Sequence, residues 1–234
     1  MPLDRFGFLM KAMLLLSISV EAAYADSLEA ALVKAAPDAN AKVIALAVRA
    51  SQCSLAQGAA PAQRLAVIDY SLPSTEQRLW VFDLKQRKLL FHELVAHGRN
   101  SGENMAVQFS NQNESNATSL GLYRTASSYN GQNGYSLRME GLEPGFNDRA
   151  FDRAIVIHGA PYVSRDLARA NGRIGRSLGC PAVRPAIAHK LIDSMKEGQL
   201  LFSYYPDRQW LKSSSFINCD KSTVADVSKP TDGY

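Results

Sequence analysis

Beyond its first 25 residues, this sequence has no apolar run long enough to cross a bilayer as a helix. It also lacks internal repeats and low-complexity tracts, which excludes solenoid arrays and compositionally biased chains. Charge of one sign is missing too: 26 Lys and Arg against 22 Asp and Glu leave a net +4. That falls far short of the dense basic patch that nucleic-acid binding demands. No Ser-x-x-Lys tetrad occurs, which disfavours penicillin-binding serine enzymes. Cysteine is scarce, with three residues, an odd number that leaves at least one thiol outside any intramolecular bridge.

What is present is enough apolar material for a sizeable core. The chain has 234 residues, 46% of them hydrophobic, which suits one globular domain with a smaller appendage. The first residues have the form of a targeting segment. Arg5 and Lys11 precede the short apolar run Ala12 to Val20, and Ala23-Tyr24-Ala25 fits a small-x-small cleavage site. A signal peptide over 1–25 is expected, with the mature chain starting near Asp26 and exported. The run is interrupted by Ser17 and Ser19 and closed by Glu21, so stable membrane insertion is not expected. In an oxidising compartment Cys53 and Cys219, near opposite ends of the mature chain, are expected to pair and leave Cys180 free. Such a bridge contributes roughly 4 to 5 kcal/mol in the chain-entropy account.

Periodicity divides the remainder. Leu28, Ala31, Leu32 and Ala35 recur at helical spacing, Pro37 breaks the run, and a second helix follows from about Asn40. This helical segment, 26–60, is too small to bury its own face and should pack on the main domain. From Gln63 the period becomes β-like, with runs at Arg64 to Tyr70, Arg78 to Leu84 and Leu89 to Ala96, the last two forming a hairpin. Residues 98–118 form a long polar loop of the kind that is usually functional or mobile. Further strands are expected at Leu120 to Arg124, Tyr135 to Glu140, Ala154 to His158 and Leu200 to Tyr205. A helix from Pro185 to Lys196 has Ile187, Leu191, Ile192 and Met195 on one face. A main domain over 61–212 is followed by a polar tail, 213–234, expected to be partly disordered.

The chemistry concentrates in IVIHGAPYVSRDLARANGRIGRSLGCPAVR, Ile155 to Arg184. A β-branched run ends in His158, a Gly- and Arg-rich loop follows, and Cys180 sits between Gly179 and Pro181. An isolated cysteine is more often a small buried hydrophobe, and an isolated histidine often a satisfied strand-end residue. Together in one glycine-rich unit they are the thiol and base of a cysteine acyl-transfer site, since imidazole can hold a thiol as thiolate. Such pairing would bring the Cys180 pKa below the free value of about 8.5. The overlapping Gly175-x-Ser177-x-Gly179 mimics a serine-hydrolase elbow, but it follows a loop. The sole later histidine, His189, lies on the polar side of the next helix. Papain-like peptidases are disfavoured because they place cysteine before histidine.

These residues resemble the L,D-transpeptidases of the YkuD type, and most nearly the murein L,D-transpeptidase catalytic-domain (YkuD_2-like) family. HGAPYVS (158–164) and GRSLGCPA (175–182) carry the resemblance. VAHGRNSG (95–102), FSN (109–111), SLGLY (119–123) and YSLRMEGLEPGFND (135–148) agree with it in order, over roughly residues 63–212. The resemblance implies a mainly β, β-sandwich-like catalytic domain with flanking α-helices, acting on peptidoglycan peptide stems without metal or cofactor. It makes Cys180 the nucleophile and His158 the base. It gives the Gly159 carbonyl the task of fixing the imidazole tautomer, and puts the oxyanion on amides of the Ser177–Gly179–Cys180 turn. The chain departs from the commonest pattern at Leu178, where a histidine is usual, and at Ala182, where Arg or Asn is usual. Arg173, Arg176 or Arg184 are then the candidates for a substrate carboxylate, against the alternative of exposed loop arginines. His97 either enters the site from a neighbouring strand or merely ends that strand. Tyr123 either lines the cleft or belongs to the core. His92 reads as structural.

The expected protein is a monomer in the periplasm of a Gram-negative bacterium, with no nucleic-acid partner. Two alternatives stay open: an L,D-carboxypeptidase with the same catalytic pair, and a catalytically dead cell-wall-binding protein.

Overall fold

The computed structural model describes residues 28–219, so the expected signal segment and the tail after Cys219 lie outside the described residues. Two helices open the fold, α1 over 28–35 and α2 over Ala41–Ala56. The latter starts where the Asn40 side chain accepts from the Lys42 N–H. One eight-stranded mixed sheet follows. Its strands are β1 (Arg64–Asp69), β2 (Leu79–Asp83), β3 (Lys88–Glu93), β4 (Gly121–Gly131), β5 (Gly134–Gly141), β6 (Val156–Gly159), β7 (Ala182–Val183) and β8 (Leu200–Tyr204). They lie in the order β3-β2-β1-β8-β4-β5-β6-β7. The β1/β8 and β6/β7 pairs are parallel and the rest antiparallel.

The central strands read as unbroken apolar runs because both of their faces are covered. One face gathers Ala66, Ile68, Leu79, Val81 and Leu201 with Leu191, Ile192 and Met195 of α4 (Pro185–Met195). The other gathers Leu65, Val67, Trp80, Phe82, Leu200 and Phe202 beneath α1, α2 and α5 (Arg208–Ser213). Trp210 of α5 is fully buried there, its ring 5.6 Å from that of Phe202 and its Nε1–H donating to Glu143 at 2.9 Å. Burying each such side chain contributes on the order of 2 kcal/mol. The Cys53–Cys219 disulfide, with Cα atoms 6.1 Å apart, ties α2 to the segment after α5. Cys180 is a free thiol.

The two sheet edges approach each other. Beyond β3 the chain crosses to β7, where Ala96 bridges Ala182 and Gly98 bridges Ser177, curling the sheet toward a barrel. Leu94, Ala96, Ala160, Val163, Ile174 and Ala182 form a small buried cluster behind this seam. The chain is therefore mainly β with flanking helices. Among the described residues no helix is long and apolar enough to cross a membrane.

Several local expectations are corrected. β4 does not stop at Arg124 but continues to Gly131, forming a hairpin with β5. Its second half, Thr125 to Gly131, is held by ladder hydrogen bonds to β5 and by Tyr129, which packs against the core. Arg165–Asn171 is a helix, α3, rather than loop, with the Ser164 hydroxyl accepting from the N–H groups of Asp166 and Leu167. The loop 98–118 contains a 3-10 turn at Arg99–Ser101. Before Cys219 the chain is ordered by the burial of Phe216 and Ile217.

Candidate active site

Cys180 lies just before β7 and His158 within β6, on adjacent parallel strands registered His158 to Ala182. That register sets Cys180 beside Val156. The Val156 N–H donates to Sγ at 3.4 Å, and the thiol donates to the Ala154 carbonyl at 3.8 Å. Sγ thus takes the backbone positions a longer β7 would have paired. Ala154, with φ 51°, turns the chain so that its carbonyl reaches the thiol.

Ser177 locks the turn that carries the thiol. Its hydroxyl donates to the Cys180 carbonyl at 2.6 Å and accepts from the Gly179 N–H at 3.1 Å. Its own backbone N–H donates to the His97 carbonyl at 2.9 Å, while its carbonyl accepts from the Arg99 N–H at 2.8 Å. Ser177 is a turn-former here, its hydroxyl committed to main chain. Gly179 has φ 122°, and a Cβ there would fall 2.9 Å from the Ala117 carbonyl oxygen, so the turn requires glycine. Gly98 is equally constrained, since a Cβ would meet the Gly179 Cα at 2.9 Å. The Gly179 N–H is held by the Ser177 hydroxyl. Leu178 projects into solvent, 62% exposed.

The His158 ring is 4% exposed, and its Nδ1 lies 3.1 Å from the Gly159 carbonyl. A carbonyl only accepts, so Nδ1 carries the proton and Nε2 is left as a base. Burial pushes the His158 pKa down and the Cys180 thiol up. The expected depression of the thiol pKa is therefore corrected. Cys180 is 8% exposed, its hydrogen bonds go to backbone, and desolvation outweighs the groups that favour thiolate: the Val156 N–H, the Arg153 charge and its own N–H. The resting pair is neutral thiol and neutral imidazole.

His97 and Tyr123 are core residues rather than cleft-lining ones. His97 is fully buried. Arg78 Nη2 donates to its Nδ1 at 2.7 Å, so Nε2–H donates to the Gly102 carbonyl at 3.3 Å. Burial, aided by the Arg78 charge, brings its pKa down to about 4. The Tyr123 hydroxyl donates to the Ser119 carbonyl at 2.9 Å deep in the core. His92 is structural, stacked on Trp80 with its Nε2–H donating to the Gln77 carbonyl at 2.9 Å.

The three candidate arginines all have carboxylate partners. Arg173 and Arg176 converge on the exposed Glu103 at 2.9 and 2.7 Å, and Arg184 forms a two-pronged pair with Glu93 at 2.9 and 2.7 Å. Arg184 also borders an open cavity of about 430 Å³ with Pro161, Arg165 and Arg169, at the far end of β7 from the thiol.

Two arginines that brace this region gave no sequence signal. Arg78, fully buried, donates to the carbonyls of Leu72 and Val95 and lies 5.0 Å from the Tyr70 ring centre, fixing the segment that supports Ser177. Arg153 sits between the thiol turn and the loop Ser110–Ser119. Both depend on the closing of the sheet, which local sequence does not reveal. Among the described residues no cluster of three or more His, Cys, Asp or Glu side chains is placed to hold a metal ion.

Residues 35–204 match the family model of the L,D-transpeptidase catalytic domain, YkuD_2. The chain belongs to that family. Among solved structures it is similar to an L,D-transpeptidase from Stackebrandtia nassauensis, with 16% identity, 76% of each chain covered and a TM-score of 0.39. It is also similar to one from Mycobacterium smegmatis, with 14% identity, 62% of this chain and 60% of that one covered, and a TM-score of 0.39. The match thus spans about 60% of the mycobacterial protein's length. No curated protein sequence matches the chain.

Proposed function

We propose that this chain is an exported cysteine acyl-transferase that acts on peptidoglycan peptide stems. The observation that carries the reading is the placement on the adjacent strands β6 and β7 of a free thiol, just before β7, an imidazole with an unprotonated Nε2, within β6, and a glycine-tight turn. His158 Nε2 takes the thiol proton as Sγ attacks the carbonyl between an L-centre, such as L-centred diaminopimelate, and a terminal D-residue. The Cys180 N–H holds the oxyanion. The C–N bond then breaks, His158 returns the proton to the leaving amine, and a thioester remains. An amine of a second stem attacks the thioester, gives its proton to His158 and releases the thiol. Because the resting pair is neutral, proton transfer accompanies attack.

The Cys53–Cys219 disulfide supports an oxidising compartment, and the periplasm of a Gram-negative bacterium fits both substrate and disulfide. The protein acts as a monomer with Cys180 as its one free thiol. Incubating the protein with tetrapeptide muropeptides, followed by mass spectrometry, tests the reading. Cross-linked dimers are expected. Tripeptides alone would make it a carboxypeptidase, and no product with an unlabelled Cys180 would make it a wall-binding protein.

A further inference from the structure

Arg153, unlike Arg173, Arg176 and Arg184, has no carboxylate partner among the described residues. Its guanidinium donates to the carbonyls of Ser110 at 2.8 Å and Ala117 at 2.7 Å, and to the hydroxyls of Ser119 at 2.7 Å and Ser115 at 3.1 Å. All four acceptors are neutral. A half-buried cation without an anion is costly, because neutral dipoles replace water incompletely and leave the charge uncompensated. The charge also faces the thiol turn. Nη2 lies 3.3 Å from the point a Gly179 Cβ would occupy, and the Ala117 oxygen it binds lies 2.9 Å from the same point. Thr118, next in that loop, donates its hydroxyl to the Gly179 carbonyl at 3.3 Å. Arg153 also directly precedes Ala154, whose carbonyl accepts the thiol proton.

We infer that Arg153 is a positioning residue for Cys180, supplying the positive charge that the anionic forms of the site require and the thiol state leaves uncompensated. The inference rests on Cys180 being the nucleophile. When Sγ loses its proton to His158, the Ala154 carbonyl turns from acceptor into a repulsive neighbour, and two backbone N–H groups, of Val156 and of Cys180 itself, are the other counterweights. Arg153 makes up the difference, and it needs no movement to do so because the Ser110–Ser119 loop already holds it in place. The electrostatics agree: the Arg153 charge favours the Cys180 thiolate, and the thiolate favours charged Arg153. The same contacts give Arg153 a second task, clamping that loop against Gly179.

The two tasks separate in the pH profile of iodoacetamide alkylation, measured on the oxidised full chain, where Cys180 is the one thiol that reacts. Arg153→Gln should move the alkylation midpoint up by roughly half to one pH unit. Arg153→Lys, which keeps the charge but loses the four-way clamp, should stay near the wild-type midpoint. The double variant Ser115→Ala with Ser119→Ala should stay there too, with a lower melting temperature. An unshifted midpoint in Arg153→Gln overturns the inference. So does a shift in Arg153→Lys as large as in Arg153→Gln, or, where Arg153→Gln does not fold, a Lys variant displaced by a full unit. A wild-type thiol that fails to alkylate across the whole profile overturns it as well. Alkylation uses no peptidoglycan, so failure here leaves the transpeptidase assay to stand or fall separately.

Discussion

The β1/β8 pair is registered over five residues with side chains buried on both faces, whereas the parallel β6/β7 pair is registered over two and ends in glycine-tight turns. In the first, backbone groups are consumed by the ladder and side chains by the two cores. In the second, β7 is so short that the Val156 N–H and Ala154 carbonyl are left for a thiol to use. One pair holds the fold and the other exposes backbone polarity to chemistry. The β7 edge is reached by a seam of single bridges, which Arg78 and His97 support from behind.

The largest expected effect breaks this contrast cleanly. Cys180→Ala should lower acyl transfer by at least about a thousandfold and change stability by no more than about 1 kcal/mol. Trp210→Ala, in the core above β8, should cost about 3 to 5 kcal/mol and leave the turnover of the remaining folded protein unchanged. Denaturant melts and muropeptide turnover on both variants check this. A Trp210 variant with intact stability, or with inactive folded protein, would erase the division of labour.

A smaller effect probes the support beneath the seam. Unfolded His97 takes a proton near pH 6.5, but folded His97 only near about 4, because burial beside Arg78 disfavours its charge. Between those values the unfolded state binds more protons, so stability rises with pH, by up to about 1.4 kcal/mol per unit for one proton. Stability is complete above pH 6.5 and is lost as pH falls toward 4. His97→Gln should flatten part of this slope, while His158, also depressed, keeps the rest. Equal slopes in wild type and variant would remove His97 from the seam's electrostatics.

The smallest effect sharpens the question of substrate contact. Glu103 is exposed, so Glu103→Gln should change stability by less than about 1 kcal/mol. It also removes the carboxylate from Arg173 and Arg176, which keep their backbone carbonyl partners. If either holds a stem carboxylate, the KM for that stem falls with kcat unchanged. An unchanged KM leaves Arg184 as the candidate.

Much of the fold was legible where side chains carry the period. α2, β1, β2 and α4 bury regular apolar faces, and their sequences record it. The second half of β4, Thr125-Ala-Ser-Ser-Tyr-Asn-Gly, is small and polar, and α3 buries no residue, so neither announces itself. The site divides in the same way. His158, Gly179 and Cys180 lie within one short stretch and share a local geometry that residue types reveal. Arg153 and Arg78 act through carbonyls dozens of residues or a whole strand away, and as residues in a sequence they are indistinguishable from solvated arginines. The thiol pKa was misread for a related reason: its direction depends on how deeply the turn is buried, and burial is a property of the closed seam.

The Cys53–Cys219 bridge spans 166 positions and turns everything from the last turn of α2 through α5 to Cys219 into one covalent ring that contains β6, β7 and the thiol turn. A single cleavage in the exposed stretch around Gln112 to Glu114 would open that ring without releasing a fragment. The cut molecule should migrate as one species until a reductant is added, so this enzyme can be nicked beside its active site and still remain one molecule.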